Sequence, residues 1–458
     1  MKTDRVDVAV IGAGFAGLSA AVKLAASGLR VEVFEQGPRL GGRASAFTDK
    51  ATGERVDNGQ HVLFGCYRET YAFLRTIGAS QLAPLQSRLQ LPMVGASGRI
   101  VELRCPALPP PWHLLAGLLR WSALPIRDRF AALRVGDVIR RARRDGVDRV
   151  VAAIPADQTV DGWLDTLGQP RAIREWLWHP LALAALNQAA NTAAAAPFVH
   201  VIAHLFGPSI DDSAVGLANV PLDEMYAEPA KHFLEARGSA VHLRAPATVT
   251  IAAGGGVAGV STPAGFVTAR CVISAVPWYA FGSIWEGEVP AAVVPAALAA
   301  DAMASSPIVT VNLWFDGPVM DELFIGFVDA PIHWVFNKSA IVGEHLTHLA
   351  VVTSGANDQA GSTNEEVTRA AVEHLERVLP RVRTRTLQRA VVVREHRATF
   401  SLAPGGPVRP RPATGVDGLL LAGDWTDTGL PATIEGAVLS GHRAAALVAD
   451  FLRTAGDD

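Results

Sequence analysis

A glycine-rich turn between a strand and a helix near the start of the chain is the feature that most constrains the fold. Residues 7–11 are a β-branched run typical of a strand, the glycines follow at once, and residues 18–27 are an alanine-rich run typical of a helix. Gly12 permits the tight turn, Gly14 lets the backbone approach a pyrophosphate, and Gly17 lets helix and strand pack closely. Because free N–H groups at the helix N-terminus then face the phosphates, the segment predicts a dinucleotide site. The predicted contacts are Gly12, Ala13, Gly14, Phe15, Ala16 and Gly17.

An acidic residue at the end of the second predicted strand narrows the choice of dinucleotide. Residues 30–34 predict that strand, and Glu35 follows it, about 20 residues beyond the glycines, where a carboxylate accepts hydrogen bonds from ribose hydroxyls. A carboxylate there would repel a 2′-phosphate, which disfavours NADP. We therefore expect Glu35 and Gln36 to bind the cofactor, with a solvated strand end as the alternative for Glu35.

Two further segments resemble a family of flavoproteins. Residues 39–43, Arg-Leu-Gly-Gly-Arg, resemble the Gly-Gly-Arg signature of the amine oxidase and phytoene desaturase superfamily, and residues 418–446 are similar to its closing strand, Gly-Asp turn and helix. The resemblance implies that the cofactor is FAD, that Arg43 neutralises phosphate charge and that Asp424 bonds the ribityl chain or a nearby phosphate. The further contacts that it implies are Gly42, Val249 at the adenine, Gly423, and the backbone of Thr433 and Ile434 at the flavin ring.

The same resemblance covers essentially the whole chain and implies an α/β fold. A discontinuous Rossmann-like FAD-binding domain would carry an inserted α+β substrate domain. Strand and turn signals cluster in three blocks, and alanine- and leucine-rich helical sequence fills the intervals. We therefore place the FAD-binding domain at residues 1–80, 206–282 and 388–458, and the substrate domain at residues 81–205 and 283–387.

The composition is that of a large enzyme with a deep core. The chain has 458 residues, is 49% hydrophobic and carries a formal net charge of -3, so two or more domains are expected and a nucleic-acid partner is not. The three cysteines show no metal spacing, which predicts no metal site and suits a reducing compartment. Residues 1–7 are charged and lead straight into a strand, so we expect a cytoplasmic protein.

One segment nonetheless suggests contact with the inner membrane. Residues 108–125 place Trp112 and Trp121 around a leucine-rich stretch too short to cross a bilayer, which is typical of a peripheral, interfacial segment. An ordinary helix of the substrate domain is an equal alternative. The arginines that follow, within residues 127–144, form a basic zone suited to anionic lipid head groups, although the interleaved aspartates fit a solvated helix face as well.

The segment Asn58-Gly59-Gln60-His61 indicates the branch of the superfamily. It is similar to the segment beside the flavin in plant-type carotene desaturases, and in this form is most similar to the hydroxysqualene dehydroxylases of bacterial hopanoid synthesis. Residues 394–400 and 423–437 point the same way. The resemblance therefore places Gly59, Gln60 and His61 at the flavin.

Amine oxidation is not expected. Amine oxidases generally carry a lysine that holds a water at the flavin, in the segment entering a strand like residues 309–315. They also carry an aromatic residue in the closing motif. In this chain the segment that would hold the lysine is Ser-Pro-Ile-Val-Thr at residues 306–310. The position of the aromatic residue in the closing motif is occupied by Thr433. An apolar substrate suits the alanine-, leucine- and tryptophan-rich domain better.

The chemistry that the resemblance implies is reductive. Reduced FAD would deliver hydride to an allylic carbon as the hydroxyl leaves as water, which converts hydroxysqualene to squalene. The hydroxyl needs a proton donor and the developing cation needs a dry pocket. The candidate donors are His61, Tyr67, His396 and Asp427, with an imidazolium at His61 first. A structural histidine is the alternative for His61, and Asp427 could donate only if burial raised its pKa.

Three functions remain open. The first is the dehydroxylase, and the second is a carotene or squalene desaturase that uses the same pocket oxidatively. The third is a non-catalytic carrier of flavin and prenyl lipid, or an assembly partner of an upstream squalene-synthase-like enzyme. All three share FAD and a long apolar isoprenoid ligand.

Overall fold

Two large β-sheets organise the part of the chain that the computed structural model describes, residues 5–343, 347–359 and 361–454. The strands are β1 (Val6–Ile11), β2 (Val31–Phe34), β3 (Ala46–Thr48), β4 (Arg55–Asp57), β5 (Val62–Phe64), β6 (Gln90–Val94), β7 (Ile100–Arg104), β8 (Val215–Leu217), β9 (Ala240–His242), β10 (Thr248–Ile251), β11 (Val257–Thr262), β12 (Gly265–Ser274), β13 (Ser305–Phe315), β14 (Phe324–Phe327), β15 (Trp334–Asn337), β16 (Thr347–Ser354), β17 (Leu387–Phe400) and β18 (Leu419–Leu421). The α-helices are α1 (Phe15–Ala26), α2 (Arg68–Thr76), α3 (Trp112–Arg120), α4 (Ile126–Asp145), α5 (Val147–Val151), α6 (Val160–Thr166), α7 (Arg171–Ile173), α8 (His179–Leu186), α9 (Ala195–Leu205), α10 (Glu228–Glu235), α11 (Trp278–Phe281), α12 (Val294–Asp301), α13 (Lys338–Val342), α14 (Asn364–Val378) and α15 (Ile434–Thr454).

The first sheet has five parallel strands in the order β9-β2-β1-β12-β18. Strand β1 lies at the centre, where Val8 pairs with Val31 on one side and Cys271 on the other. Its run of buried β-branched residues fits a strand covered on both faces. Helices α1 and α15 pack closely, since a Cβ at Gly441 would lie 2.2 Å from the backbone O of Ala16. The hairpin β10-β11 continues the sheet through the first half of β12.

The parallel arrangement brings three distant turns to one edge. The carboxyl ends of β1, β2 and β18 are followed by the glycine turn at Gly12, by Glu35 and by Gly423. In open parallel sheets, ligands bind outside the carboxyl ends of the strands. The predicted α/β fold with a Rossmann-like unit is thereby confirmed.

The second sheet has the order β17-β13-β16-β15-β14-β6-β7 and is antiparallel except for the pair β14-β6. Helix α14 covers one face through Val367, Ala371 and Leu375, which join an apolar core with β13 and β16. Helices α3, α4, α8 and α9 share an apolar core with the other face of this sheet and line the same cavity. In the described residues, no helix is both long and apolar enough to cross a membrane.

The domain division stays a prediction, but one of its boundaries needs correction. Residues 388–400 were placed in the FAD-binding domain, whereas β17 pairs with β13 from Ser305↔Phe400 to Phe315↔Leu387. This register makes β17 an edge strand of the second sheet. The reason is long-range strand pairing, which local sequence patterns do not encode.

Candidate active site

A cavity of about 1780 Å³ lies between the two sheets and the layer of helices. One end is lined by the turns at the carboxyl edge of the first sheet, and the rest mainly by aliphatic and aromatic side chains. Most of the predicted cofactor contacts line the first part: Gly12, Ala13, Gly14, Phe15, Ala16, Glu35, Gln36, Gly42, Arg43, Gly59, Gln60, His61, Gly423, Asp424, Thr433 and Ile434. Gly17 and Val249 are not part of the lining.

The glycine turn is as crowded as its predicted role requires. Gly12 has a φ of +104°, which favours glycine, and a Cβ there would lie 2.9 Å from the backbone O of Ala275. Gly17 packs against the same turn, because its Cβ would lie 1.9 Å from the backbone O of Gly12. Gly17 therefore shapes the turn without lining the cavity. Gly14 is the N-cap of α1, so the helix N-terminus faces the cavity.

The Glu35 carboxylate is fixed at the end of β2. Its Oε2 accepts a hydrogen bond from Ala13 N at 2.9 Å, and its Oε1 accepts one from Gly37 N at 2.7 Å. Each carboxylate oxygen can accept a further hydrogen bond. A ribose hydroxyl therefore still has acceptors here, and the solvated strand end is not what the structure shows.

Arg43 and Asp424 join the opening and closing motifs. Arg43 Nη2 lies 2.5 Å from Asp424 Oδ1, and Arg43 Nη1 donates to Ala398 O at 2.9 Å. The side chain of Asn58 extends the link by donating from Nδ2 to Arg43 O at 2.5 Å. Four segments, around residues 43, 58, 398 and 424, therefore meet in one wall of the cavity.

Val249, the predicted adenine contact, does not line the cavity. Val249 N donates to Ile284 O at 2.6 Å and Val249 O accepts from Glu286 N at 3.2 Å, so both backbone groups are already used. Its side chain is buried. Ala247, two residues earlier on the same edge, lines the cavity instead. Strand periodicity repeats every two residues, so sequence alone does not separate these positions.

Helix α15 begins at the cavity wall opposite the glycine turn. Thr433 Oγ1 accepts from Gly436 N at 3.0 Å, which makes Thr433 the N-cap. Thr433 and Ile434 line the cavity. The positive end of a helix dipole there would stabilise a negative charge on a bound ring. This arrangement, with the glycine turn that a Cβ would fill, fits the predicted FAD.

A buried lysine supports the Asn58–His61 segment. Lys338 Nζ donates to Asp57 Oδ2 at 2.9 Å and to Gln60 Oε1 at 3.1 Å, and its side chain is 4% exposed. The position expected for an amine-oxidase lysine is near Thr310, whose Oγ1 is buried without a hydrogen-bond partner in the described residues. Lys338 enters from α13, so the sequence analysis did not connect it with the site.

The predicted proton donors separate into two groups. His61 and Tyr67 line the cavity. Burial lowers the pKa of His61, and its Nδ1 lies 2.9 Å from Gly59 O, which fits a neutral ring that donates there. The structure therefore disfavours the predicted imidazolium. Burial raises the pKa of Tyr67, so this hydroxyl keeps its proton.

His396 and Asp427 do not belong to the cavity, which corrects both predictions. His396 is exposed on β17, where strand alternation turns it away from the cavity-lining Glu395. Asp427 is exposed in the turn after Asp424, and its backbone O accepts from Arg443 Nη1 at 3.0 Å. Neither side chain can reach a ligand inside the cavity.

The cavity contains two histidines that the sequence analysis missed. His200 and His204 lie four residues apart on α9, on one helix face, with ring centroids 5.4 Å apart. His200 Nε2 lies 3.1 Å from Asp148 Oδ1, while its Nδ1 is buried without a hydrogen-bond partner in the described residues. The spacing of the two histidines was the signal that could have found them.

Apart from charged side chains such as Arg140, Arg143 and Asp148, the remainder of the cavity wall is mainly apolar. Helices α3, α4 and α8, the turn before α8 and the inner face of the second sheet supply it. Representative residues are Leu118, Leu133, Trp176, Leu181, Trp334 and Phe336. An elongated hydrocarbon could be desolvated along this apolar part of the wall.

Comparisons with known proteins agree with this geometry. The family described as flavin containing amine oxidoreductase matches residues 15–449. Hydroxysqualene dehydroxylase of Sinorhizobium fredii is 29% identical over 454 residues, covering 96% of this chain and 98% of that protein. Zeta-carotene desaturase of Capsicum annuum is 25% identical over 500 residues, covering 97% of this chain and 81% of that protein. An oxidoreductase from Methanosarcina mazei has a similar fold, with a TM-score of 0.74 and 17% identity. The match covers 95% of this chain and 99% of that protein.

Proposed function

The chain belongs to the flavin containing amine oxidoreductase family and is an FAD-dependent oxidoreductase, and on that premise we propose that it reduces hydroxysqualene to squalene. The observation that carries the proposal is the continuity of the cavity, with the nucleotide motifs at one end and an apolar chamber over the rest. A long isoprenoid could extend through this chamber with one carbon beside the flavin position. Similarity to a hydroxysqualene dehydroxylase over nearly the whole chain supports the same substrate.

The residues of the chain would divide the work of binding and proton supply. Reduced FAD, when bound, supplies the hydride. The apolar wall would exclude water from the developing allylic cation. Among the groups that line the cavity, we favour His200 as the proton donor, because its Nε2 lies 3.1 Å from the Asp148 carboxylate and its Nδ1 makes no hydrogen bond within the described residues. Burial lowers the pKa of His61, which disfavours that ring as the donor.

The direct test is a single turnover without oxygen. Protein loaded with FAD is reduced with dithionite and mixed with hydroxysqualene, and we expect the flavin absorbance to return as squalene forms. His200→Gln should slow this step by about a hundredfold or more, the usual contribution of a general acid. His396→Gln, outside the cavity, is the matched control. A fully loaded, reduced enzyme that produces no squalene would contradict the proposal.

A desaturase is the second candidate, favoured by the similarity to zeta-carotene desaturase. It would use the same cavity in the oxidative direction. In that case, oxidised enzyme should lose its flavin absorbance when a carotene is added without oxygen, and reduced enzyme should not act on hydroxysqualene. Binding of either lipid without any change in the flavin would instead indicate a carrier.

A further inference from the structure

Six exposed apolar side chains cluster around one side of the cavity. We call them the mouth patch: Leu108, Trp112, Leu119, Ile126, Phe130 and Leu133. They are six of the fourteen large hydrophobic side chains that are exposed in the described residues, yet all lie within residues 108–133. Ile126 is 69% exposed and Trp112 is 61% exposed. Single exposed apolar residues are normal, but a cluster marks a contact surface.

Helical spacing explains how the mouth patch forms. Trp112 and Leu119 lie seven residues apart on α3, and Ile126, Phe130 and Leu133 follow the i, i+4, i+7 spacing of one face of α4. The patch therefore extends well beyond the segment 108–125 that the sequence suggested. The mouth patch forms only because α3 and α4 lie side by side.

The mouth patch is continuous with the cavity. Leu133 is 48% exposed and also lines the cavity, so it lies at the boundary between the two. On α3, Leu115 and Leu118 line the cavity while Leu119 faces outward. The patch and the cavity therefore adjoin at an apolar side chain, Leu133. The natural partner of an apolar surface that opens into an apolar cavity is a lipid.

The charge around the mouth patch points to the same occupant. Helix α4 carries seven arginines and three aspartates, a net charge of +4, in a chain whose formal net charge is -3. Arg120, Arg127 and Arg134 are exposed among the apolar residues of the patch. Basic side chains beside a tryptophan and aliphatic residues are typical of surfaces that bind anionic lipid head groups.

We propose that the mouth patch docks on an anionic lipid bilayer and that the apolar substrate enters the cavity from the acyl chains, past Leu133. The identity of that substrate rests on the proposed function, but the docking does not. We favour a bilayer as the partner because its anionic head groups match the basic charge of the patch, and its acyl chains match the apolar cavity that the patch adjoins.

Vesicle flotation tests the docking itself. The FAD-loaded protein is mixed with vesicles of phosphatidylcholine, with or without phosphatidylglycerol, and we expect it to float with the anionic vesicles. The triple variant Trp112→Ser/Ile126→Ser/Phe130→Ser should lower the partition coefficient by about a hundredfold or more, since each buried large apolar group is worth about tenfold. Leu298→Ser/Leu323→Ser/Val408→Ser removes three exposed apolar groups elsewhere and should float like the unaltered protein.

Flavin content and oligomeric state distinguish the other outcomes. Equal flotation of both triple variants would overturn the proposal, as would an unaltered protein that stays unbound. A dimer that the mouth-patch variant converts to a monomer, without any flotation, would assign the surface to a second copy of the chain and overturn it too. Normal flavin absorbance in each variant shows that the fold is retained.

Turnover tests the entry route separately. With hydroxysqualene in anionic vesicles, the mouth-patch variant should lose at least about tenfold in rate, while with detergent-dispersed substrate it should match the unaltered protein. Equal rates from vesicles would overturn the entry route. An unaltered protein that floats but never turns over contradicts the proposed function and leaves the docking supported by flotation.

Discussion

Single side chains decide whether the cofactor end of the cavity can form, and Lys338 is the least expected of them. It is buried with Asp57 beneath the segment that carries Gln60 and His61. A buried ion pair adds little net stability over a well-packed apolar pair, but loss of one partner leaves an uncompensated charge. Asp57 is also held by Leu222 N, which donates to its Oδ1 at 3.0 Å. The pair thus fixes the position of the segment.

Lys338→Met should therefore lower the free energy of unfolding by about 3–5 kcal/mol, the usual cost of breaking a buried pair. Lys338→Met/Asp57→Asn should recover most of that loss, because the asparagine is neutral and still accepts from Leu222. Urea unfolding measures both. The exposed pair Arg453–Asp450 is the control, and Arg453→Met should cost less than about 1 kcal/mol. A double variant no more stable than the single one would contradict this interpretation.

The glycine turn gives a second prediction at one position. A Cβ at Gly17 would overlap the backbone O of Gly12, so Gly17→Ala must displace the turn that faces the nucleotide. We expect the purified variant to lack flavin absorbance. Gly254→Ala is the matched control, since a Cβ at Gly254 meets nothing within 4 Å. A yellow Gly17→Ala protein with normal FAD content would show that the turn tolerates the shift.

At the scale of whole strands, a half-buried histidine, His333, connects strands of the second sheet. His333 lies between β14 and β15, and its Nδ1 accepts from Ser354 N, at the end of β16, at 2.9 Å. Its own backbone N donates to Val352 O at 3.0 Å. Burial lowers the pKa of His333 from 6.5 to about 4. The neutral ring is therefore the form that holds the strands together.

A lowered histidine pKa makes stability fall on acidification. Between pH 6.5 and about 4 the unfolded chain binds the proton that the folded His333 refuses, so the stabilisation is present above pH 6.5 and is lost as the pH falls toward 4. Because the residue is partly exposed, we expect on the order of 2 kcal/mol. His333→Asn keeps an acceptor for Ser354 and should lose that much less stability over the same range, as measured by urea unfolding at each pH. Parallel pH profiles would contradict the assignment.

FAD should stabilise the folded chain because motifs from both ends of the sequence line one end of the cavity. Residues 12–17 and 423–434 lie at one sheet edge, and Arg43 pairs with Asp424 across them. A ligand that binds the folded state alone stabilises it by mass action. FAD at about a hundredfold above its dissociation constant should add about 2.7 kcal/mol to the free energy of unfolding. Unfolding of apoprotein with and without added FAD measures this, and equal stabilities despite restored flavin absorbance would contradict it.

The sequence by itself determined the cofactor end of this protein. The strand, glycine turn and helix at residues 7–27, Glu35 after the second strand, and the Gly423-Asp424 turn are local patterns whose backbone geometry depends on near neighbours. Local geometry is what short-range sequence encodes. The α/β fold and the FAD site followed from these segments, together with the resemblance that they carry.

Only the tertiary structure decided which polar side chains reach the cavity. Strand pairing placed β17 in the second sheet and left His396 exposed, the edge contacts of Val249 kept it off the cavity wall that Ala247 lines, and helix packing brought His200 to Asp148. Lys338 reached Asp57 across 281 residues of chain. These contacts depend on long-range packing rather than on local propensity. For the same reason the mouth patch became visible only once α3 and α4 lay side by side.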